Sequence, residues 1–181
     1  SDQSHLKFGF HTFKGKDKRM ATLKLLSVIL GSGMSSRLFT EMRDKRGLCY
    51  YTGSSASTTI DRGWLAIRSG VGNAKLEESV EVIMNECRKL RDEEVSPKEL
   101  KKAKDYLTGN IAMNLESSDD IAEFLGLQEV VYKDIQRVTE KFSAIRKVTT
   151  KDIKKLAKQI FKDERLNFAV VGPLKDDKKI K

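Results

Sequence analysis

Residues 31–51 read Gly31-Ser32-Gly33-Met34-Ser35-Ser36-Arg37-Leu38-Phe39-Thr40-Glu41-Met42-Arg43-Asp44-Lys45-Arg46-Gly47-Leu48-Cys49-Tyr50-Tyr51. Gly31-Ser32-Gly33 stops the apolar helix before it, because glycine accepts the backbone angles that end a helix. Leu38, Phe39 and Met42 share one side of a short helix running from about Ser35 to Lys45. Gly47 breaks that helix. Cys49 to Thr59, rich in Tyr, Ser and Thr, reads as a strand. Arg43 near the helix end and Tyr50 at the strand start are thus separated by one sharp turn, which brings their side chains to one side.

Upstream, Leu6 to Phe13 alternates, with Leu6, Phe8 and Phe10 facing one way and Lys7, Gly9 and His11 the other, as in a half-buried strand. Asp17 to Leu30 is the apolar helix. Downstream, Asp61-Arg62-Gly63 makes the turn of a hairpin whose returning strand is Trp64 to Ser69. Leu76, Val80, Ile83, Cys87 and Leu90 then form an amphipathic stripe. Ser96-Pro97-Lys98-Glu99 is a strong helix start, with Glu99 expected to reach back and complete a capping box. Leu100, Ala103, Leu107 and Ile111 carry that helix's buried face. Ser118 starts a further helix with Ile121, Leu125 and Val131 inward, and another spans Asp134 to Val148. Thr149 or Thr150 caps the last helix, which buries Ile153, Leu156, Ala157 and Ile160. Leu166 to Val171 is a final strand stopped by Gly172-Pro173.

The order is strand, two helices, hairpin, several helices, strand. It predicts an α+β fold, an antiparallel sheet of sequence-adjacent pairs packed by a layer of helices, rather than a doubly wound one. One domain is expected over residues 3–173, followed by a basic tail at 174–181.

The chain has 181 residues, 39% of them hydrophobic and 34% charged, which suits a globular domain and not a disordered one. No apolar run approaches the roughly 20 residues that cross a bilayer. The start Ser1-Asp2-Gln3-Ser4 leads almost directly into a strand, so a targeting segment could lie upstream. Cys49 and Cys87 lack C-x-x-C spacing and read as free buried thiols, favouring a reducing compartment such as the cytoplasm. The net charge of +9 raises nucleic-acid binding. The basic residues alternate with acids on helix exteriors, however, and no nucleic-acid module is present, so neither nucleic acid nor membrane is expected as a partner.

The usual catalytic motifs are missing. His5 and His11 are the only histidines, and H-E-x-x-H, H-x-x-E-H and G-x-S-x-G are all absent. Gly31-Ser32-Gly33 lacks the lysine of a phosphate loop. On residue type alone, Arg43 as a surface ion pair and Tyr50 as core packing with its hydroxyl at the rim are the ordinary readings.

The stretch from Gly31 to Tyr50 closely resembles the second-half signature of the pitrilysin or insulinase-like zinc peptidases, the inverzincin family that includes mitochondrial processing peptidase. Gln3-x-x-Leu6-x-x-Gly9-Phe10 resembles the family's half-domain start, and Val95-Ser96-Pro97-x-Glu99-Leu100-x-x-Ala103-Lys104 its long helix. Val148-Thr149-x-x-Asp152-Ile153 and Val170-Val171-Gly172-Pro173 fall where the family has its last helix and domain end. The resemblance covers nearly the whole chain, and its force lies in the order and spacing of motifs that are weak singly.

The resemblance implies two similar α+β halves around a chamber. One half binds zinc through H-x-x-E-H and a further Glu; the other has lost those ligands and contributes an Arg and a Tyr seven residues apart. Here these match Arg43 and Tyr50, as the catalytic pair. Asp17 to Leu30, where the zinc motif would stand, contains no histidine, so the chain resembles the zinc-free half and no metal ligand is assigned to it. Zinc would be held by the partner half. Tyr51 competes with Tyr50, because a one-residue slip reverses which side chain faces the chamber; the family spacing selects Tyr50. Gly31, Gly33 and Arg37 complete the expected binding set, the glycines as helix stops that shape the chamber wall and Arg37 with a structural role near the glycine turn.

The implied partners are a zinc-bearing N-terminal half, in the same polypeptide or a separate subunit, and a peptide substrate. The chain alone is expected to be inactive, and it could pair with a second copy. The rival implication is an inactive structural subunit, since some family members persist as core subunits of respiratory complexes.

Overall fold

The computed structural model describes residues 3–173. The basic tail expected at 174–181 lies outside the described residues. The elements are β1 (Gln3–His11), α1 (Met20–Gly31), a π-helical turn (Phe39–Lys45), β2 (Cys49–Thr58), β3 (Gly63–Gly72), α2 (Leu76–Asp92), α3 (Pro97–Met113), α4 (Ser118–Tyr132), α5 (Val138–Lys147), α6 (Thr150–Ile160) and β4 (Leu166–Val171). The α+β architecture is as expected.

The four strands form one antiparallel sheet in the order β2-β3-β1-β4. Only β2 and β3 are a sequence-adjacent pair. β1 instead lies between β3 and β4, so the expectation of sequence-adjacent pairs holds for the hairpin and not for β1 or β4. The alternation of β1 fits its place: Leu6, Phe8 and Phe10 are buried on one face, while His5, Lys7 and His11 are exposed on the other. Burying each such side chain contributes about 1.5–3 kcal/mol. β1 starts at Gln3 and stops at His11, three and two residues before the expected bounds, because its pairing with β3 runs from Gln3 to His11.

α1 is the centre of the helical layer, buried from Leu25 through Gly31 and packed with β2, α3 and α6. It begins at Met20 rather than Asp17. Asp17 folds into the preceding turn, accepting from the backbone and guanidinium of Arg19. The α2 stripe buries Leu76, Ile83, Cys87 and Leu90 and leaves Val80 half-buried. α6 buries all four expected residues under a Thr149–Asp152 capping box.

Four expectations about the helices are corrected. Ser96 caps α3 by accepting from Glu99 N, but Glu99 does not reach back. Both its carboxylate oxygens accept instead from Arg37, at 2.8 and 2.9 Å. Leu107 and Ile111 on α3 are half-buried. On α4, Ile121 is exposed, Leu125 and Val131 are half-buried, and Gln128 is the buried residue, because little of the described fold covers this helix. α5 begins at Val138, four residues later than expected. Among the described residues, no helix is long and apolar enough to cross a membrane.

Candidate functional site

The segment between α1 and β2 is built by two left-handed glycines. Gly33 has φ +90° and Gly47 φ +57°, a region that costs other residues about 1–2 kcal/mol. Between them Leu38 and Met42 anchor the segment in the core. Residues Phe39–Lys45 adopt a π-helical turn, a wider geometry that recurs at functional sites. The Leu38–Met42 spacing suits α and π turns alike, so periodicity could not distinguish them. The turn closes with Leu48 N donating to Met42 O at 2.7 Å and Gly47 N to Arg43 O at 3.2 Å. Lys75 Nζ donates to Gly47 O at 2.9 Å and ties the turn to the start of α2.

β2 then begins with a bulge. Cys49 pairs with Val71, and Tyr51 with Gly70, so Tyr50 is the extra residue on its strand. A bulge re-aims side chains, and Tyr50 stands 61% exposed. Arg43 is also exposed. Its Nη1 donates to the backbone carbonyl of Tyr50 at 3.2 Å, and its guanidinium lies 5.3 Å from the centre of the Phe39 ring. The Tyr50 hydroxyl has no hydrogen-bond partner among the described residues. The turn therefore brings Arg43 to Tyr50 through its backbone and leaves the phenol free.

Tyr51 is placed differently. It lies on the sheet face opposite the helices, and its hydroxyl meets His5 Nδ1 at 2.9 Å. Sequence reasoning left His5 as a lone strand histidine. The signal that could have found this pair is the strand register, which places Tyr51, Gly70 and His5 in one row.

The other expected binding residues lie apart from this pair. Gly31 ends α1 against the middle of β2: a Cβ there would stand 2.5 Å from Ser54 N. Ser54 is about 13 Å along the strand from Tyr50. Ser32 Oγ donates to Ser54 O and Ser54 Oγ to Ser27 O, at 2.9 and 2.6 Å. Gly33 faces the Tyr106 ring on α3, 3.2 Å from where a Cβ would be. Arg37 is held bidentately by Glu99 and lies 4.0 Å from Glu86, itself almost fully buried.

Both cysteines are free and buried. Burial pushes the Cys49 thiol up, against smaller opposing effects of Ser69 and the Arg43 charge. Burial raises Cys87 far above the ordinary thiol range. Lys45 holds the Glu41 carboxyl, on the π-helical turn, below its usual range. Among the described residues, no three His, Cys, Asp or Glu side chains converge as a metal site. The site can donate hydrogen bonds and present positive charge, but it offers neither a nucleophile nor a metal-ligand set.

Residues 1–107 match the family model described as the peptidase M16 inactive domain. The chain is 28% identical to an uncharacterized zinc protease of Streptomyces coelicolor over 97% of its own length and 38% of that protein. It is 29% identical to the uncharacterized zinc protease YmxG of Bacillus subtilis over 96% of its length and 42% of that protein. The crystal structure of a protease from Helicobacter pylori superposes with a TM-score of 0.87 at 28% identity, covering 96% of this chain and 42% of that one. The chain thus spans about two fifths of the length of the curated relatives it matches.

Proposed function

The chain belongs to the peptidase M16 inactive-domain family, and from that premise we propose that residues 3–173 are the substrate-binding, zinc-free half of a zinc metalloendopeptidase. The observation that carries this reading is the Arg43–Tyr50 pair, held on one exposed turn with the phenol unengaged among the described residues. Arg43 spends one donor on the Tyr50 carbonyl. Its guanidinium has five N–H groups and stays charged, so donors remain for substrate carbonyls. The Tyr50 hydroxyl donates to the oxyanion that forms on the scissile carbonyl. A donor placed where charge develops is worth roughly 2.7–4 kcal/mol of barrier.

The residues of this chain do not fit zinc, since histidine is absent from α1 and no ligand set converges elsewhere among the described residues. Zinc and the activated water it supplies belong, in this proposal, to a partner half in the same polypeptide or a separate chain. The shares of the relatives left uncovered are large enough for such a half.

Mixing the purified chain with its zinc-bearing half tests this. Neither alone should cleave a fluorogenic peptide, and together they should, with activity lost to a chelator and restored by zinc. Cleavage by this chain alone, with contaminating protease excluded, contradicts the proposal. A stable complex of both halves without peptidase activity points to the structural-subunit alternative.

A further inference from the structure

We propose that Tyr51 is a positioning residue: clasped to His5 across Gly70, it fixes the strand bulge that turns Tyr50 outward beside Arg43. The proposal rests on the reading of Arg43 and Tyr50 given above.

The clasp follows from register. Tyr51 on β2 pairs with Gly70 on β3, and Gly70 pairs with His5 on β1. Adjacent strands lie about 4.8 Å apart, so the first and third backbones of this row are about 10 Å apart. A side chain bridges that span only if it is long and lies flat over the middle strand. Tyr51 does so: its hydroxyl reaches His5 Nδ1 at 2.9 Å, and the two rings lie 25° from parallel with centroids 6.2 Å apart. The middle residue must then be glycine. A Cβ on Gly70 would collide with Tyr51 Cε1 and stand 2.9 Å from Cδ1. At the backbone end, Ser69 Oγ donates to Tyr51 O at 3.1 Å. Hydroxyl, ring face and carbonyl are each held by a different neighbour.

What the clasp decides is which tyrosine becomes the bulge. Beyond Tyr51, β2 continues as Thr52-Gly53-Ser54-Ser55-Ala56-Ser57. Ser54 is tied to α1 through Ser27 and Ser32, but such small side chains specify the position of the bulge itself only weakly. Tyr50 and Tyr51 are chemically identical, and a one-residue slip would set Tyr50 opposite Gly70 with its hydroxyl at His5. Tyr50 would then leave the Arg43 side. The contacts of Tyr51 with His5, Gly70 and Ser69 hold the register in which Tyr50 is the extra residue.

The test uses the peptidase assembled from this chain and its zinc-bearing half. Tyr51→Phe and His5→Leu should each lower kcat/KM roughly 10- to 100-fold, the scale of a 1 Å misplacement, with the loss mainly in kcat. His5→Asn, which keeps a polar atom where Nδ1 stands, should recover most of it. In the Tyr50→Phe background, Tyr51→Phe should cost nothing further; an equal cost in both backgrounds overturns the proposal. If Tyr50→Phe alone leaves kcat/KM unchanged, the reading of Tyr50 has failed, and the crystal structure of the Tyr51→Phe chain decides the matter. Tyr50 displaced toward His5 supports the clasp, and Tyr50 unmoved overturns it. Gly70→Ala should produce the same displacement where it folds.

Discussion

Arg43 donates from Nη1 to the backbone carbonyl of Tyr50 at 3.2 Å, across the left-handed turn at Gly47. The contact links the end of a helical turn to the start of a strand, so two side chains seven residues apart are held by one short loop. Neither residue is buried and neither packs the core. The surrounding fold nevertheless fixes both backbones, through Met42 and Leu48 on the inner side of the loop and the β2–β3 ladder beyond it.

Arg37 shows the contrasting use of the same side chain. Its guanidinium is taken up by Glu99, with nearly buried Glu86 4.0 Å away. Arg37→Met should lower stability by roughly 1.5–3 kcal/mol, the scale of hydrogen bonds to a charged group, read as a lower urea midpoint. The loss is no larger because Lys89 still pairs with Glu86 at 2.6 Å. An unchanged midpoint with weakened peptide binding would instead return Arg37 to the substrate surface.

Gly31 is constrained by close approach, not by its backbone angles. A Cβ would stand 2.5 Å from Ser54 N and 2.9 Å from Gly53 C, and strand backbone cannot rotate away. Gly31→Ala should cost about 1–3 kcal/mol through overpacking and lower Tm by roughly 3–10 °C. A scan showing no shift would mean that α1 and β2 are not packed this tightly.

Lys141 predicts a pH dependence. Burial, and after it the neighbouring charge of Lys24, pushes the Lys141 ammonium down to about 8. In the unfolded chain it titrates near the ordinary lysine value of about 10.4. Between those values the unfolded chain binds more protons, so this group makes stability rise with pH across that window. Below about pH 8 the charged lysine destabilises fully. Lys141→Met should therefore raise Tm at about pH 7 and leave it little changed at about pH 11. Equal gains at both would assign the effect to packing against Phe124, whose ring lies 4.0 Å from Nζ.

Much of the layer order was legible because burial imposes period. Leu6, Phe8 and Phe10 alternate; Ile153, Leu156, Ala157 and Ile160 recur by turns, and both sets are buried as read. What periodicity could not supply was competition between partners. Ser96-x-x-Glu99 carries a capping-box pattern, yet a charge-assisted bidentate bond from Arg37 outcompetes the local return contact. The bulge at Tyr50 was hidden for a related reason: one extra residue leaves a strand's composition unchanged, and only the pairing with β3 reveals it. That bulge also recasts the choice between Tyr50 and Tyr51. Both escape the core, one as the extra residue and the other across Gly70. The apolar residues of α4 read as inward because the sequence holds no sign that so little of the described fold covers that helix.

The most direct test is the steady-state kinetics of the assembled two-half peptidase carrying Arg43→Ala or Tyr50→Phe. Each should lower kcat/KM by roughly 100- to 1000-fold, the scale of a lost transition-state donor, with zinc content and Tm unchanged. Kinetics indistinguishable from the parent for both variants would contradict the assignment of this turn to catalysis.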